Sequence, residues 1–183
     1  MGSVVIVSGP PGSGKTTLCR ALAARREDGV HLVSDSFYAF IAHGVDPTTP
    51  ESHHQNTTVI RAVASAALAY ARGGYTVYLD GVIGPWFLPE FRRVLESEVA
   101  THYAVLDVGL AWANARARER QGPGLSPIVE AMQPKFMDLG PLARHAVPAE
   151  GRSKDELLNA VSAGLEAGAF ALDWEKVGAE EGA

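Results

Sequence analysis

The chain has 183 residues, 46% of them hydrophobic, and a formal net charge of −5; this fits one domain with a sizeable core and excludes a global basic field for nucleic acid, though not a local groove. Its single cysteine, Cys19, excludes an internal disulfide and fits a reducing compartment. The apolar N-terminus runs directly into a glycine loop, unlike a signal peptide, and no apolar run reaches the ~20 residues that span a bilayer, so a cytoplasmic protein is expected.

Ser3 to Ser8 is a β-branched run that reads as a buried strand. Gly9-Pro10-Pro11-Gly12-Ser13-Gly14-Lys15-Thr16 follows and spells G-x-x-x-x-G-K-[ST], the phosphate-binding P-loop. Thr17 to Arg26, rich in Ala and Leu, reads as a helix. That order of strand, loop and helix separates a P-loop from an ordinary Gly-rich turn. Glycines let backbone N–H groups turn inward around phosphate oxygens, and the helix N-terminus adds partial positive charge. Gly9 to Thr17 are therefore the nucleotide-binding candidates. Lys15 is expected to reach the β- and γ-phosphates, and the Thr16 hydroxyl to ligate Mg2+. Cys19 reads as a small core residue.

A second strand is predicted over Val30 to Ser34, then a short helix over Ser36 to Ala42 with Phe37, Phe40 and Ile41 on its apolar side. Asp35 directly follows the strand. Ligands of open α/β sheets sit outside the carboxyl ends of strands, so Asp35 shares a rim with the P-loop. There it can take the proton of an attacking substrate hydroxyl, hold a Mg2+-bound water, or simply cap the next helix. His43 to Ser52 reads as a loop, and His53 to Arg72 as a long helix with Ile60, Val63, Ala67 and Tyr70 at helical spacing. Gly73-Gly74 ends it. The adjacent His53 and His54 do not share a helix face, which disfavours a two-His metal site.

Tyr75 to Leu79 is the third strand, ending at Asp80-Gly81. Asp80 suits the carboxylate that orients Mg2+ waters; a plain Asp-Gly turn is the other reading. If Asp35 served the metal instead, Asp80 would be the base. Trp86 and Phe87 wall an acceptor pocket or pack in the core. A helix is predicted over Pro85 to Ala100, a fourth strand over His102 to Val108, and a helix over Leu110 to Arg120 broken by Gly122-Pro123-Gly124. Arg116 and Arg120 are i,i+4 neighbours on that helix, while Arg118 points elsewhere. Arginines ahead of such a break suit a lid that closes over phosphates, or else form a solvated face. Pro127 to Asp138 is helical, with Lys135 read as a surface lysine or else as a phosphate contact; Arg144 to Val147 is a fifth strand. Ser153-Lys154-Asp155-Glu156 is a capping box opening a last helix, with Leu158, Val161 and Leu165 inward. The acidic tail from Asp173 is expected to fray. Alternating strands and helices imply a parallel sheet covered on both faces.

Gly9 to Thr16, Ser34-Asp35-Ser36-Phe37, Leu79-Asp80-Gly81 and the arginines from Arg116 to Arg120 together resemble the P-loop small-molecule kinases, a group that includes shikimate kinase, gluconate kinase and chloramphenicol phosphotransferase. Val33 to Ser36 is similar to the chloramphenicol phosphotransferase segment with its proposed catalytic aspartate. Gln133 and Phe136 are similar, more weakly, to the gluconate kinase pattern. Asp35 to Tyr38 and Asp80 to Ile83 also look like uridine kinases, which usually carry a glutamate where Asp80 stands.

The resemblance implies a three-layer α/β P-loop kinase fold over residues 1–183, with a five-stranded parallel sheet, a small lid at 116–138 and an acidic tail at 173–183. It further implies an ATP–Mg2+ donor and a small-molecule hydroxyl acceptor, such as an antibiotic or a sugar acid. In that scheme Asp35 deprotonates the acceptor, Lys15, Arg116 and Arg120 neutralise the transferring charge, Arg118 binds ATP, and Thr16 and Asp80 serve the metal. A nucleoside kinase of the uridine type, or an ATPase without an acceptor, is the alternative.

Overall fold

In the central strand β1, Ser3–Ser8, Val4 and Ile6 pack into one core cluster and Val5 and Val7 into the other. Both faces of a strand can be apolar only where helices cover both, the condition of a parallel sheet. This computed structural model describes residues 1–121 and 134–177, without the side chains of 117–121. The other strands are β2, Gly29–Val33; β3, Thr76–Asp80; β4, Ala100–Asp107; and β5, Ala146–Pro148. All pair in parallel in the order β2-β3-β1-β4-β5. The expected five-stranded α/β sheet is therefore present.

The helices are α1, Lys15–Ala24; α2, Asp35–Tyr38; α3, His53–Arg72; α4, Leu88–Leu95; α5, Leu110–Gln121; α6, at 134–137; α7, Lys154–Glu166; and α8, Trp174–Val177. Apolar residues of α3 and α4 cover one face of the sheet, and those of α1 and α7 the other. Helix α3 has the predicted bounds, and Ile60, Val63 and Ala67 are buried as expected; Tyr70 instead lies exposed against Tyr75. The capping box forms: Ser153 Oγ accepts from the Glu156 N–H while the Glu156 carboxylate accepts from the Ser153 N–H.

Several expectations need correction. Helix α2 is a single turn that stops at Tyr38, so Phe40 and Ile41, expected on its apolar side, lie past its end and are exposed, Phe40 beside Phe37. The stretch from Pro85 is two pieces: a 3-10 turn, Pro85–Phe87, then α4, which stops at Leu95 as Glu96 turns extended. The fifth strand starts at Ala146, since Arg144 and His145 belong to the 3-10 helix Gly140–His145. The tail from Asp173 does not fray at once. It forms α8, held by a Lys176–Asp173 ion pair of 2.9 Å and by Trp174 against the core. The Gly122-Pro123-Gly124 break, most of the helix from Pro127, Gln133 and the last residues of the tail lie outside the described residues.

Candidate active site

The carboxyl ends of β1, β2 and β3 meet at one rim, and each delivers a candidate. The loop after β1 makes a tight turn closed by the Ser13 N–H donating to Pro10 O at 3.2 Å. Gly12 has φ +83, and a Cβ there would stand 2.5 Å from the Ala113 carbonyl oxygen, so α5 packs directly on the loop backbone. A non-glycine residue would meet both a disfavoured backbone region and a collision. Lys15 opens α1, is buried, and donates from Nζ to Gly9 O at 3.0 Å and Pro10 O at 2.9 Å. Ser13 Oγ is buried within the loop and has no hydrogen-bond partner among the described residues, a state that buried polar atoms rarely keep without a ligand or water.

Asp35 is the first residue of α2, one position past the N-cap, which is Ser34. The capping role considered for Asp35 therefore falls to its neighbour's position. Ser34 Oγ donates to Asp35 Oδ1 at 3.4 Å, and the Ser34 N–H donates to Asp80 O at 2.9 Å, tying the ends of β2 and β3 together. Tyr38, half-buried, has its phenol pushed up to about 12, first by burial and then by the Asp35 charge; it stays a protonated donor at neutral pH. Asp80 ends β3 almost wholly buried, and its Oδ2 lies 3.4 Å from His31 Nε2 on β2. No local pattern links His31 to the rim. Its pairing position, two residues before Val33, which pairs with Asp80, is the feature that brings it there.

These groups open into a cavity of about 740 Å³. Its lining includes Pro11, Gly12, Lys15, Thr16, Asp35 and Asp80, together with Tyr38, the 47–50 segment, His53, Asn56, Trp86, Phe87 and Lys135. The amides of α3 fasten that segment. Gln55 exchanges hydrogen bonds with both main-chain groups of Val45, and Asn56 Nδ2 donates to Pro47 O at 2.8 Å. Lys135, expected on the open surface, has its Nζ 5.6 Å from the centroid of the Trp86 ring.

A second cavity of about 420 Å³ is lined by Ser13, Gly14, Thr17, Arg20, Trp112, Arg116, Arg152 and Lys154, among others. The two cavities share no lining residue, so the P-loop stands between them. Arg116 lies over the Trp112 ring at 5.0 Å and belongs to this second cavity, apart from Asp35 and Asp80. The side chains of Arg118 and Arg120 lie outside the described residues. Cys19 is fully buried, and burial, reinforced by the Asp80 charge, pushes its thiol up, as befits a core residue.

Among the described residues there is no cluster of three His, Cys, Asp or Glu side chains fit to hold a metal alone. Thr16 and Asp80 offer oxygen only, and both face the cavity. That donor set suits a hard cation that completes its shell with phosphate oxygens and water, as Mg2+ does. No helix among the described residues is long and apolar enough to cross a membrane.

The profile of the AAA domain family matches residues 4–135. No curated protein matches the sequence significantly. Among solved structures, a gluconokinase from Sinorhizobium meliloti 1021 superposes with a TM-score of 0.63 at 18% identity, over 92% of this chain and 93% of that one. A tunicamycin resistance protein from Deinococcus radiodurans gives 0.66 at 16% identity, over 90% and 96%. The Mycobacterium tuberculosis APS kinase CysC, solved with AMPPNP and APS, gives 0.60 at 19% identity, over 90% and 98%. At such identities the likeness shows a common fold.

Proposed function

This chain belongs to the AAA domain family, and we propose that it is a MgATP-dependent phosphotransferase whose acceptor is a hydroxyl group of a small molecule. One observation carries the reading: Pro11, Gly12, Lys15 and Thr16 of the P-loop share one cavity of about 740 Å³ with Asp35, Asp80, Asn56 and Trp86, and a second substrate would lie in it beside the phosphates. A switch ATPase needs no such second site. The gluconokinase and APS kinase likenesses agree with it.

The triphosphate would lie in the Gly9–Thr17 loop, where main-chain N–H groups, the start of α1 and the unpartnered Ser13 Oγ face its oxygens. The base end would fall in the second cavity, beside Trp112 and Arg116. Arg116 is therefore proposed as a nucleotide contact, and closure over the transferring phosphate falls to Arg118 and Arg120 further along α5. Thr16 and Asp80 would hold Mg2+, which draws charge from the β- and γ-oxygens.

The acceptor hydroxyl gives its proton to an Asp35 carboxylate oxygen. Its own oxygen forms the new bond to the γ-phosphorus as the bond from that phosphorus to the bridging oxygen breaks, and ADP leaves. Lys15 remains beside the β- and γ-oxygens to offset their charge. Little covalent work falls to the protein, so positioning dominates.

ADP release measured across a panel of hydroxyl compounds tests the reading: release should depend on acceptor. Asp35→Asn should lower kcat by about 10²–10⁴-fold with MgATP affinity retained. Release that is equally fast without any acceptor would instead make the chain a hydrolase.

A further inference from the structure

The sheet fixes the Asp80 main chain from both sides. Asp80 pairs with Val7 of β1 and Val33 of β2, and its carbonyl accepts from the Ser34 N–H at 2.9 Å. Strand pairing sets where a residue stands but leaves its side-chain torsions to local contacts. The Asp80 carboxylate therefore still has to be aimed. Its side chain is only 4% exposed, and a buried carboxylate without donors is costly.

One donor is in place. His31 Nε2 lies 3.4 Å from Asp80 Oδ2 and is the hydrogen-bond partner of that carboxylate among the described residues. A carboxylate only accepts, so Nε2 carries the proton of this contact. Cys19 of α1 is close enough to feel the Asp80 charge, but a thiol is a weak donor. His31 is itself only 17% exposed, and a hydrogen bond screened from water is the stronger for it.

Strand geometry explains why His31, and neither of its neighbours, reaches the carboxylate. Side chains alternate along a strand. Val30 and Leu32 pack into the cluster under α3 and α4, so His31 takes the opposite face. Tyr78 packs into the cluster under α1 and α7, and Asp80, two residues on, shares its face. His31 pairs with Tyr78, which leaves its ring to reach forward along β3 to Asp80. Asp80 lines the first cavity and His31 does not, so whatever His31 does for the site passes through Asp80.

Resting on the phosphotransferase reading, we propose that His31 is a positioning residue: by holding one oxygen of Asp80 from behind, it aims the carboxylate at the divalent cation that Asp80 and Thr16 serve. Outer partners of metal-binding side chains are worth about 10–100-fold in metal affinity.

The test reads the metal directly. Mn2+, which takes the same oxygen donors as Mg2+, is titrated into protein held in excess over AMPPNP, and free Mn2+ is followed by its electron paramagnetic resonance signal. His31→Asn keeps an amide but places it one bond short of the imidazole Nε2. It should weaken Mn2+ binding by about 10–100-fold and leave metal-free AMPPNP affinity, measured by calorimetry, unchanged. His31→Gln, whose amide nitrogen stands as many bonds from Cβ as Nε2, should restore Mn2+ binding. In an Asp80→Asn background, His31→Asn should add no further loss. If His31→Asn does not unfold cooperatively on heating, His31→Phe, which fills the space without a donor, takes its place with the same expected result. Unchanged Mn2+ affinity overturns the proposal, as does an equal fall in metal-free AMPPNP affinity or a further loss in the double variant. In each of these cases the parent protein still binds the nucleotide and the proposal fails alone. If the parent binds no AMPPNP with or without the cation, the phosphotransferase reading fails with it.

Discussion

The proposed donor and acceptor sides of the first cavity are built on different principles. The donor side is main chain. Residues 9–16 are consecutive, their shape follows from glycine and helix geometry, and α5 rests on the backbone of Gly12. The acceptor side is made of side chains. Tyr38, Asn56, Trp86 and Lys135 come from four separate stretches of sequence. A backbone site tolerates little change and is shared across a fold; a side-chain site can be rebuilt one residue at a time.

The largest effect expected is at the donor side. Lys15→Ala should lower phosphoryl transfer by about 10³-fold while thermal unfolding stays cooperative. Turnover near that of the parent protein would remove the P-loop from the chemistry. Gly12→Ala comes next. The positive φ alone costs about 1–2 kcal/mol, and the collision with Ala113 should also displace the loop, so the unfolding midpoint and MgATP affinity fall together. Gly151→Ala is the control, because its φ is +77 but a Cβ there meets nothing within 4 Å. It should lower stability by about the conformational cost alone and leave nucleotide affinity unchanged. Equal losses of affinity in both variants would dissolve the distinction between strain and contact.

At the acceptor side, Ser8→Ala leaves the buried Ile83 N–H without its partner. This should cost about 1–3 kcal/mol of stability and raise acceptor KM more than MgATP KM, since Ile83 leads into the turn that carries Trp86. Calorimetry and paired KM measurements check it, and a shift confined to MgATP would put that turn on the donor side.

The smallest effect concerns pH. His145 is fully buried, its Nδ1–H donates to Tyr103 O at 2.8 Å, and its Nε2 accepts from Arg144 Nε at 3.3 Å. Burial, helped by the Arg144 charge, pushes its pKa below the ordinary 6.5. The unfolded chain therefore takes up a proton first as pH falls. Stability from this group is complete above about pH 6.5 and declines below it. Denaturant titrations between neutral and mildly acidic pH should show that decline, and His145→Gln should flatten it.

The same contrast explains what could be read in advance. Strands β1 to β4 and helix α3 were legible because apolar periodicity and glycine turns are local signals. The P-loop and the placement of Asp35 and Asp80 at strand ends were legible for the same reason. Phe40 and Tyr70 were misjudged because helical spacing alone tells neither where a helix stops nor which neighbours reach its flank; α2 ends before Phe40, and both rings are exposed. His31 was missed because its nearness to Asp80 is a matter of strand pairing.

By itself, the sequence determined a phosphate-binding backbone, a parallel α/β sheet and two carboxylates at strand ends, since each depends on residues close together in the chain. Tertiary structure alone decided that the P-loop stands between two cavities, that Arg116 joins the second, and that Trp86 packs over Gly84 beside Ile83, which Ser8 and Tyr103 hold. Such placements arise when distant segments pack, and no local pattern encodes which segments will meet.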